Sequence, residues 1–116
     1  MIRPLARNDV VLVNFPFTDS AGDKMRPALI VGRDTQRDVT VAFITSRTTE
    51  FSSSNECVLH QSDPEFRDTG LRTASLVRLD KLATLHRSIV RRRLGRIGQR
   101  TQDSIDKALR YCLQLD

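Results

Sequence analysis

Apolar residues with helical spacing are confined to the C-terminal end of this chain. Between about residues 99 and 115 they recur at positions 105, 108, 109, 112 and 113, along one side of a helix that Gly98 could cap. Before this stripe, apolar residues form short runs, each interrupted by proline, glycine or polar residues. Five or six short strands followed by one helix predict a mainly β fold, a small and strongly curved sheet or barrel.

The apolar runs set the approximate strand boundaries. The predicted strands cover residues 9–15, 26–32, 39–44, 56–60 and 74–85, and residues 88–94 form either a sixth strand or an irregular crossing. In the strand at 74–85, alternation places Val77, Leu79, Ala83 and Leu85 on one face. We find neither a repeat nor a linker in the sequence, so residues 1–116 are predicted to form a single domain.

Composition and charge narrow the functional classes. The chain has 116 residues and a formal net charge of +5. Its apolar runs are far too short to span a bilayer, and the first residues lack the apolar core of a signal peptide. The two cysteines, Cys57 and Cys112, are too few for a disulfide scaffold and are expected to be free thiols. Together these features predict a cytoplasmic protein.

Positive charge is concentrated in one basic segment, residues 81–102. This segment contains seven cations and no acid: Lys81, Arg87, Arg91, Arg92, Arg93, Arg96 and Arg100. Such a segment suggests a polyanionic partner, with nucleic acid favoured over a membrane. On charge alone, a solvated arginine-rich face is an equally good interpretation.

The sequence lacks the common signatures of metal and cofactor sites. His60 and His86 are far apart in the sequence, as are the two cysteines, and neither pair has the spacing of a metal-ligand motif. Glycine-rich phosphate loops and nucleophile elbows are also missing. We therefore predict no metal and no cofactor, and the two histidines are more simply explained as structural residues.

Three places in the predicted sheet carry polar side chains that suit phosphate chemistry. Arg26 precedes Pro27, which favours an extended backbone at the start of a strand. Thr45 and Ser46 end the third strand where a long polar loop begins, and Arg78 and Asp80 share one face of a later strand. Each feature alone also has an ordinary structural explanation, as a rim arginine, a strand terminator or a surface ion pair.

Several segments together resemble the MazF/PemK family of toxins from type II toxin–antitoxin pairs. The most specific are NDVVLVNFPFT at residues 8–18 and KMRPALIV at residues 24–31, followed by ITS at residues 44–46. TGL at residues 69–71 and SLVRLDKL at residues 75–82 follow in the family's order. The resemblance extends over about residues 7–115.

This resemblance implies an SH3-like barrel of five to seven strands with a C-terminal helix, which forms a homodimer and is silenced by an antitoxin. It also implies metal-independent, sequence-specific cleavage of single-stranded RNA (mRNA) to a 2′,3′-cyclic phosphate. Arg26 and Thr45 match the active-site pair of the family, and Arg78 and Asp80 match catalytic positions proposed in the PemK branch. The sequence departs from the family pattern at Asn8, which replaces a glycine but tolerates left-handed geometry.

A second departure lies in the first loop, which is shorter than in plasmid-borne members and lacks their histidine; Asp23 and Lys24 occupy its tip. In our hypothesis Arg26 and Arg78 bind the phosphate, Thr45 donates a hydrogen bond to it, and Asp80 deprotonates the 2′-hydroxyl. Five further residues in two loops are expected to contact the substrate: Phe17, Lys24, Ser46, Arg47 and Phe51. Phe17 serves equally well as a core residue.

The alternative to an enzyme is a toxin or binding module on the same fold that does not cut RNA. It would poison a topoisomerase in the manner of CcdB toxins, or bind RNA without cleavage. The pairing of Arg26 with Thr45 favours the nuclease, because an inhibitor of another protein has no need of a phosphate-binding pair.

Overall fold

The structure is a computed structural model and describes residues 4–15, 24–32, 35–47 and 53–115, without the side chains of Phe15 and Lys24. The elements follow one another in this order: β1 (Asp9–Phe15), β2 (Lys24–Ile30), β3 (Asp38–Thr45), β4 (Glu56–Leu59), a 3-10 helix (Phe66–Thr69), β5 (Ser75–His86), a second 3-10 turn (Arg87–Ile89), β6 (Val90–Arg96) and α1 (Gln99–Leu113). Within these ranges, none of the helices has the length and apolar character needed to cross a membrane.

All six strands belong to one antiparallel sheet with the order β4-β5-β3-β2-β1-β6. The predicted mainly β fold with a C-terminal helix is therefore confirmed. Of the segment at residues 88–94, which the sequence left open, residues 90–94 belong to strand β6 and residues 88–89 to the second 3-10 turn. In the described part of the chain, β4 and β6 are the two edges and do not pair, so the sheet is not closed by hydrogen bonds.

Two apolar clusters hold the fold together. The first lies where α1 packs against β4 and β5, and the predicted apolar stripe of the helix enters it through Ile105 and Ala108, both almost fully buried. The second contains Val11, Val13, Ala28, Ile30, Val39 and Val41 from the first three strands. Burial of these side chains is the main favourable contribution to folding.

In strand β5 an irregularity interrupts the regular alternation of side chains between the two faces of the sheet. Phe43 of β3 pairs with Arg78, whereas the neighbouring Ala42 pairs with Leu82, so residues 79–81 form a bulge. As a result Leu79 packs in the first cluster and Leu85 against the second. The prediction that both share one face was wrong, because an odd number of extra residues reverses the pleat.

The start of β1 depends on a residue in the left-handed region. Asn8 has φ of 83°, a left-handed geometry that asparagine tolerates better than most residues with a side chain. Its backbone N–H donates to the carbonyl of Ile30 at 2.9 Å. The next residue, Asp9, is fully buried, and its carboxylate accepts from the backbone N–H of Ala6 at 2.8 Å and pairs with Arg96 at 3.3 Å. Asn8 thus directs a buried acid toward the basic strand β6.

Candidate active site

The sheet brings three of the predicted site residues to one face. Arg26 and Ala28 lie two residues apart on β2, and Ala28 pairs with Phe43 of β3. Phe43 in turn pairs with Arg78 of β5 and lies two residues before Thr45. Since cross-strand partners and residues two apart project to the same side of a sheet, Arg26, Thr45 and Arg78 share one face.

These side chains line a groove of about 410 Å³, which we call the Arg78 groove. Its lining residues are Arg26, Pro27, Phe43, Ile44, Thr45, Arg47, Glu56, Leu76, Arg78 and Lys81. Four of the predicted site residues are therefore brought together. Asp80 does not line the groove, but its carboxylate contacts the guanidinium of Arg78, which does. The predicted contacts from Phe17, Phe51 and the side chain of Lys24 lie outside the described residues.

Arg78 binds two carboxylates. Its Nε and Nη2 donate to the two oxygens of Asp80 at 3.3 and 3.0 Å, a bidentate arrangement. Its Nε also lies 3.3 Å from Oε2 of Glu56, the cross-strand partner on β4. The hydrogen bond to Asp80, and the negative charges of Asp80 and Glu56, raise the pKa of Arg78 above its ordinary value despite some desolvation. The guanidinium therefore stays charged at every physiological pH and cannot deliver a proton.

Glu56 is the site residue that sequence reasoning missed. Its side chain is only 12% exposed, and Oε1 accepts a hydrogen bond from the backbone N–H of Ser53 at 3.0 Å. The position is the first residue of a four-residue edge strand, which in sequence has no feature that links it to Arg78. Only the register of β4 against β5 places this acid beside the arginine.

The hydroxyl of Thr45 has a defined environment at the end of β3. Its Oγ1 accepts a hydrogen bond from the backbone N–H of Arg47 at 3.1 Å, which closes the turn that follows the strand. An accepting hydroxyl keeps its own hydrogen for a second partner. Thr45 can therefore donate to an anion bound beside Arg26.

A second groove continues from the first over the ends of β2 and β3. It has a volume of about 740 Å³, and we call it the Arg72 groove. Its lining residues are Leu12, Met25, Arg26, Pro27, Ile44, Thr45, Ser46, Arg47, Gly70, Leu71, Arg72, Thr73, Ser75, Arg92 and Leu94. Arg26, Thr45 and Arg47 belong to both grooves, so the two form one continuous surface. The predicted contact Ser46 lies here rather than in the Arg78 groove.

The basic segment does not form one patch. Arg93 and Arg96 approach buried Asp9 at 3.9 and 3.3 Å, and Arg100 binds Asp63 at 3.2 Å. Lys81 lines the Arg78 groove and Arg92 the Arg72 groove. The charge of this segment is thus divided between structural ion pairs and the two grooves.

A third cavity, of about 260 Å³, lies between β4, the first 3-10 helix and the start of α1. Cys57 and His60 line it, and both cysteines of the chain are free thiols. Burial, with a smaller effect from the charge of Asp63, raises the pKa of Cys57 to about 11. This thiol is therefore protonated at neutral pH and is not an activated nucleophile. Across the described ranges, we find no cluster of three or more histidine, cysteine, aspartate or glutamate side chains arranged to hold a metal ion.

Comparison with solved structures identifies the same fold in several proteins. An endoribonuclease from a mycobacterial species, in complex with its cognate antitoxin, is 22% identical over 97% of this chain and 98% of that chain, with a TM-score of 0.74. The Mycobacterium tuberculosis toxin MazF-mt6 is 23% identical over 93% and 98% of the two chains, with a TM-score of 0.72. The MazF of a MazE-MazF structure from Deinococcus radiodurans is 20% identical over 95% and 96%, with a TM-score of 0.69.

A comparison with curated proteins gives no match. The profile of one protein family, described as PemK-like, MazF-like toxin of type II toxin-antitoxin system, matches residues 6–113, nearly the whole chain. This match agrees with the motifs in β1, β2 and β5 and with the fold. The chain therefore belongs to the PemK-like, MazF-like family of toxins of type II toxin–antitoxin systems.

Proposed function

We propose that this toxin is an endoribonuclease that cleaves single-stranded RNA by attack of a 2′-hydroxyl on the adjacent phosphate. The observation that carries the proposal is the shared sheet face on which Arg26, Thr45 and Arg78 meet, with Asp80 held on the guanidinium of Arg78. It is supported by two mycobacterial proteins of the same fold that are endoribonucleases.

Arg26 and Thr45 suit the stabilisation of the transition state. When the 2′-oxygen adds to phosphorus, negative charge grows on the non-bridging oxygens. A guanidinium binds such oxygens through paired N–H donors, and the hydroxyl of Thr45 supplies one more donor. Both residues lie where the Arg78 groove and the Arg72 groove meet. An RNA strand whose phosphate is bound there can therefore extend along either groove.

Asp80 suits the role of general base, held in place by Arg78. In this scheme the carboxylate accepts the proton of the 2′-hydroxyl, the 2′-oxygen bonds to phosphorus, and the bond to the 5′-oxygen breaks. The products are a 2′,3′-cyclic phosphate and a 5′-hydroxyl that takes its proton from water. The bidentate contact uses Nε and Nη2 of Arg78, which leaves Nη1 to bind a phosphate oxygen. These side chains cover the required roles, so we propose that the reaction needs no metal.

The remaining predicted residues suit contacts with the bases and backbone next to the cleaved bond. Ser46 and Arg47 lie beside Thr45 and are exposed in the grooves. We propose the same role for Lys24, Phe17 and Phe51, with the two aromatic rings stacking on unpaired bases. We also propose that residues 1–116 form a single domain, and that the protein works in the cytoplasm as a homodimer. A cognate antitoxin would silence it by occupying the basic grooves.

The decisive experiment incubates the purified protein with a long single-stranded RNA in EDTA. We expect cleavage with 2′,3′-cyclic phosphate ends, and a loss of about 100-fold or more in kcat/KM for Arg26→Ala. Arg110→Ala, which removes an exposed arginine from α1, is the matched control and should cut at the wild-type rate. Replacement of the attacking hydroxyl by 2′-O-methyl should abolish cutting. Binding of RNA without any cleavage would instead support the non-catalytic alternative.

A further inference from the structure

The Arg72 groove contains two arginines that the proposed chemistry does not use, Arg72 and Arg92. Both side chains are exposed, and neither forms an ion pair with any residue that the structure describes. By contrast, Arg93, Arg96 and Arg100 of the basic segment all lie beside carboxylates. The lining of this groove includes four arginines and no acid.

The fold brings these two arginines to one groove by close backbone packing. Gly70 has φ of 76°, and a β-carbon there would lie 2.1 Å from the carbonyl oxygen of Leu94 on β6. A β-carbon at Gly95 would lie 2.1 Å from the carbonyl oxygen of Asp68. Because only glycine permits both approaches, the segment that carries Arg72 lies directly against the strand that carries Arg92.

Strand register and the shared lining of the groove together place Arg92 near the proposed site of cleavage. Arg92 pairs with Leu12 of β1, and Leu12 pairs with Pro27 of β2. Arg26 directly precedes Pro27 and projects to the opposite side of β2, but both residues line the Arg72 groove, which therefore joins Arg92 to the arginine that we place on the reacting phosphate. Apolar side chains, including Leu12, Met25 and Leu94, line the groove along this path.

We propose that Arg72 and Arg92 form a phosphate-binding subsite for the RNA strand next to the cleaved phosphate, an inference that rests on the proposed function. The apolar lining receives unpaired bases, and the two guanidinium groups bind the phosphates that follow. A neutral or apolar ligand would gain nothing from the charges of Arg72 and Arg92, whereas a polyanion that is already bound at Arg26 gains further contacts from them. The subsite holds RNA equally before and during reaction, so it lowers KM and leaves kcat unchanged.

The test compares wild type with the double variant Arg72→Ala/Arg92→Ala. The matched control is Arg67→Ala/Arg91→Ala, which removes two exposed arginines that line neither groove. The binding probe is a 16-nucleotide RNA of random sequence, 2′-O-methylated throughout so that it cannot be cut. Its affinity is measured as a function of salt, and cleavage of a long unmodified RNA is measured in parallel.

For the subsite variant we expect about tenfold weaker binding at 0.15 M salt and a salt slope shallower by about 1.4, since each lost phosphate contact on a single strand contributes roughly 0.7. The KM of the subsite variant should rise while its kcat is unchanged. The control variant should match wild type in both RNA binding and cleavage. Equal salt slopes for wild type and the subsite variant, or a fall in kcat alone, would overturn the subsite even if wild type cleaves RNA. If wild type fails to cleave but the slopes differ as expected, the nuclease proposal fails and the subsite stands as an RNA-binding site.

Discussion

Arg78 holds the carboxylate of Asp80, two residues further along strand β5, through two hydrogen bonds of 3.3 and 3.0 Å. Asp80 lies in the bulge at residues 79–81, so simple alternation does not fix its side, and it is the two hydrogen bonds that hold it beside the guanidinium. Glu56 joins the same guanidinium from β4 at 3.3 Å. The site thus contains two carboxylates on one arginine, and they differ in exposure: the side chain of Asp80 is 33% exposed and that of Glu56 is 12% exposed.

This difference leads to a prediction about which acid is the base. Asp80 is accessible to a ribose, whereas Glu56 is more enclosed and is also held by the backbone of Ser53. Asp80→Asn should lower kcat by about 100-fold or more, and Glu56→Gln by less than about tenfold. Single-turnover cleavage of one RNA by both variants measures this directly. A larger loss for Glu56→Gln would reverse the two assignments.

The packing of Gly70 against β6 predicts a large effect on stability. Alanine at this position needs a strained positive φ and a β-carbon 2.1 Å from a carbonyl oxygen. Gly70→Ala should therefore lower the free energy of unfolding by about 2 kcal/mol or more. Urea unfolding followed by circular dichroism measures the change, and Arg67→Ala in the adjacent 3-10 helix should leave it near the wild-type value. An unchanged free energy of unfolding for Gly70→Ala would contradict the close packing on which the placement of Arg72 depends.

Helix α1 begins with a cap from a distant residue, which predicts acid sensitivity. The two carboxylate oxygens of Glu65 accept hydrogen bonds from the backbone N–H groups of Arg100 and Thr101, at 3.1 and 3.0 Å, and from the hydroxyl of Thr101 at 2.8 Å. These bonds, those from Thr101 foremost, hold the pKa of Glu65 below its ordinary value of 4.5. A carboxyl with a lowered folded-state pKa stabilises the protein above pH 4.5, and this contribution is lost as the pH falls through the folded-state pKa.

Glu65→Ala should accordingly lower the melting temperature at pH 7, and the difference from wild type should shrink as the pH falls well below 4.5. The Glu65→Gln variant keeps one accepting oxygen, so its melting temperature at neutral pH should lie between those of wild type and Glu65→Ala. Thermal unfolding from pH 7 downward provides the measurement. A difference that is independent of pH would mean that the side chain acts through packing and not through its charge.

The two cysteines provide a prediction about reactivity. Burial raises the pKa of Cys57 to about 11, so very little thiolate exists at pH 7.5 in the folded protein. Cys57 should resist alkylation by iodoacetamide under native conditions and react once the protein is unfolded in urea, where its pKa returns to about 8.5. Peptide mass spectrometry after timed labelling distinguishes Cys57 from Cys112. Rapid native labelling of Cys57 would show that the site is open to solvent.

Much of the fold could be predicted because it depends on local patterns. The short apolar runs correspond to the strands, the spacing of apolar residues after position 99 corresponds to α1, and Asn8 adopts the left-handed geometry that the motif requires. The wrong prediction concerns Leu85, and its cause is the bulge at residues 79–81, which simple alternation cannot reveal. Gly98 does precede α1, but the side chain that caps the helix is Glu65.

The sequence by itself determined the strands, the helix, the family and the candidates Arg26, Thr45, Arg78 and Asp80, because each depends on residues that are neighbours in the chain. Only the tertiary structure decided that Glu56 lies beside Arg78, that the two grooves meet at Arg26 and Thr45, and which arginines of the basic segment enter them. Those relationships depend on strand register and on packing between distant segments. A shift of one residue in register would turn each of these side chains to the opposite face of the sheet.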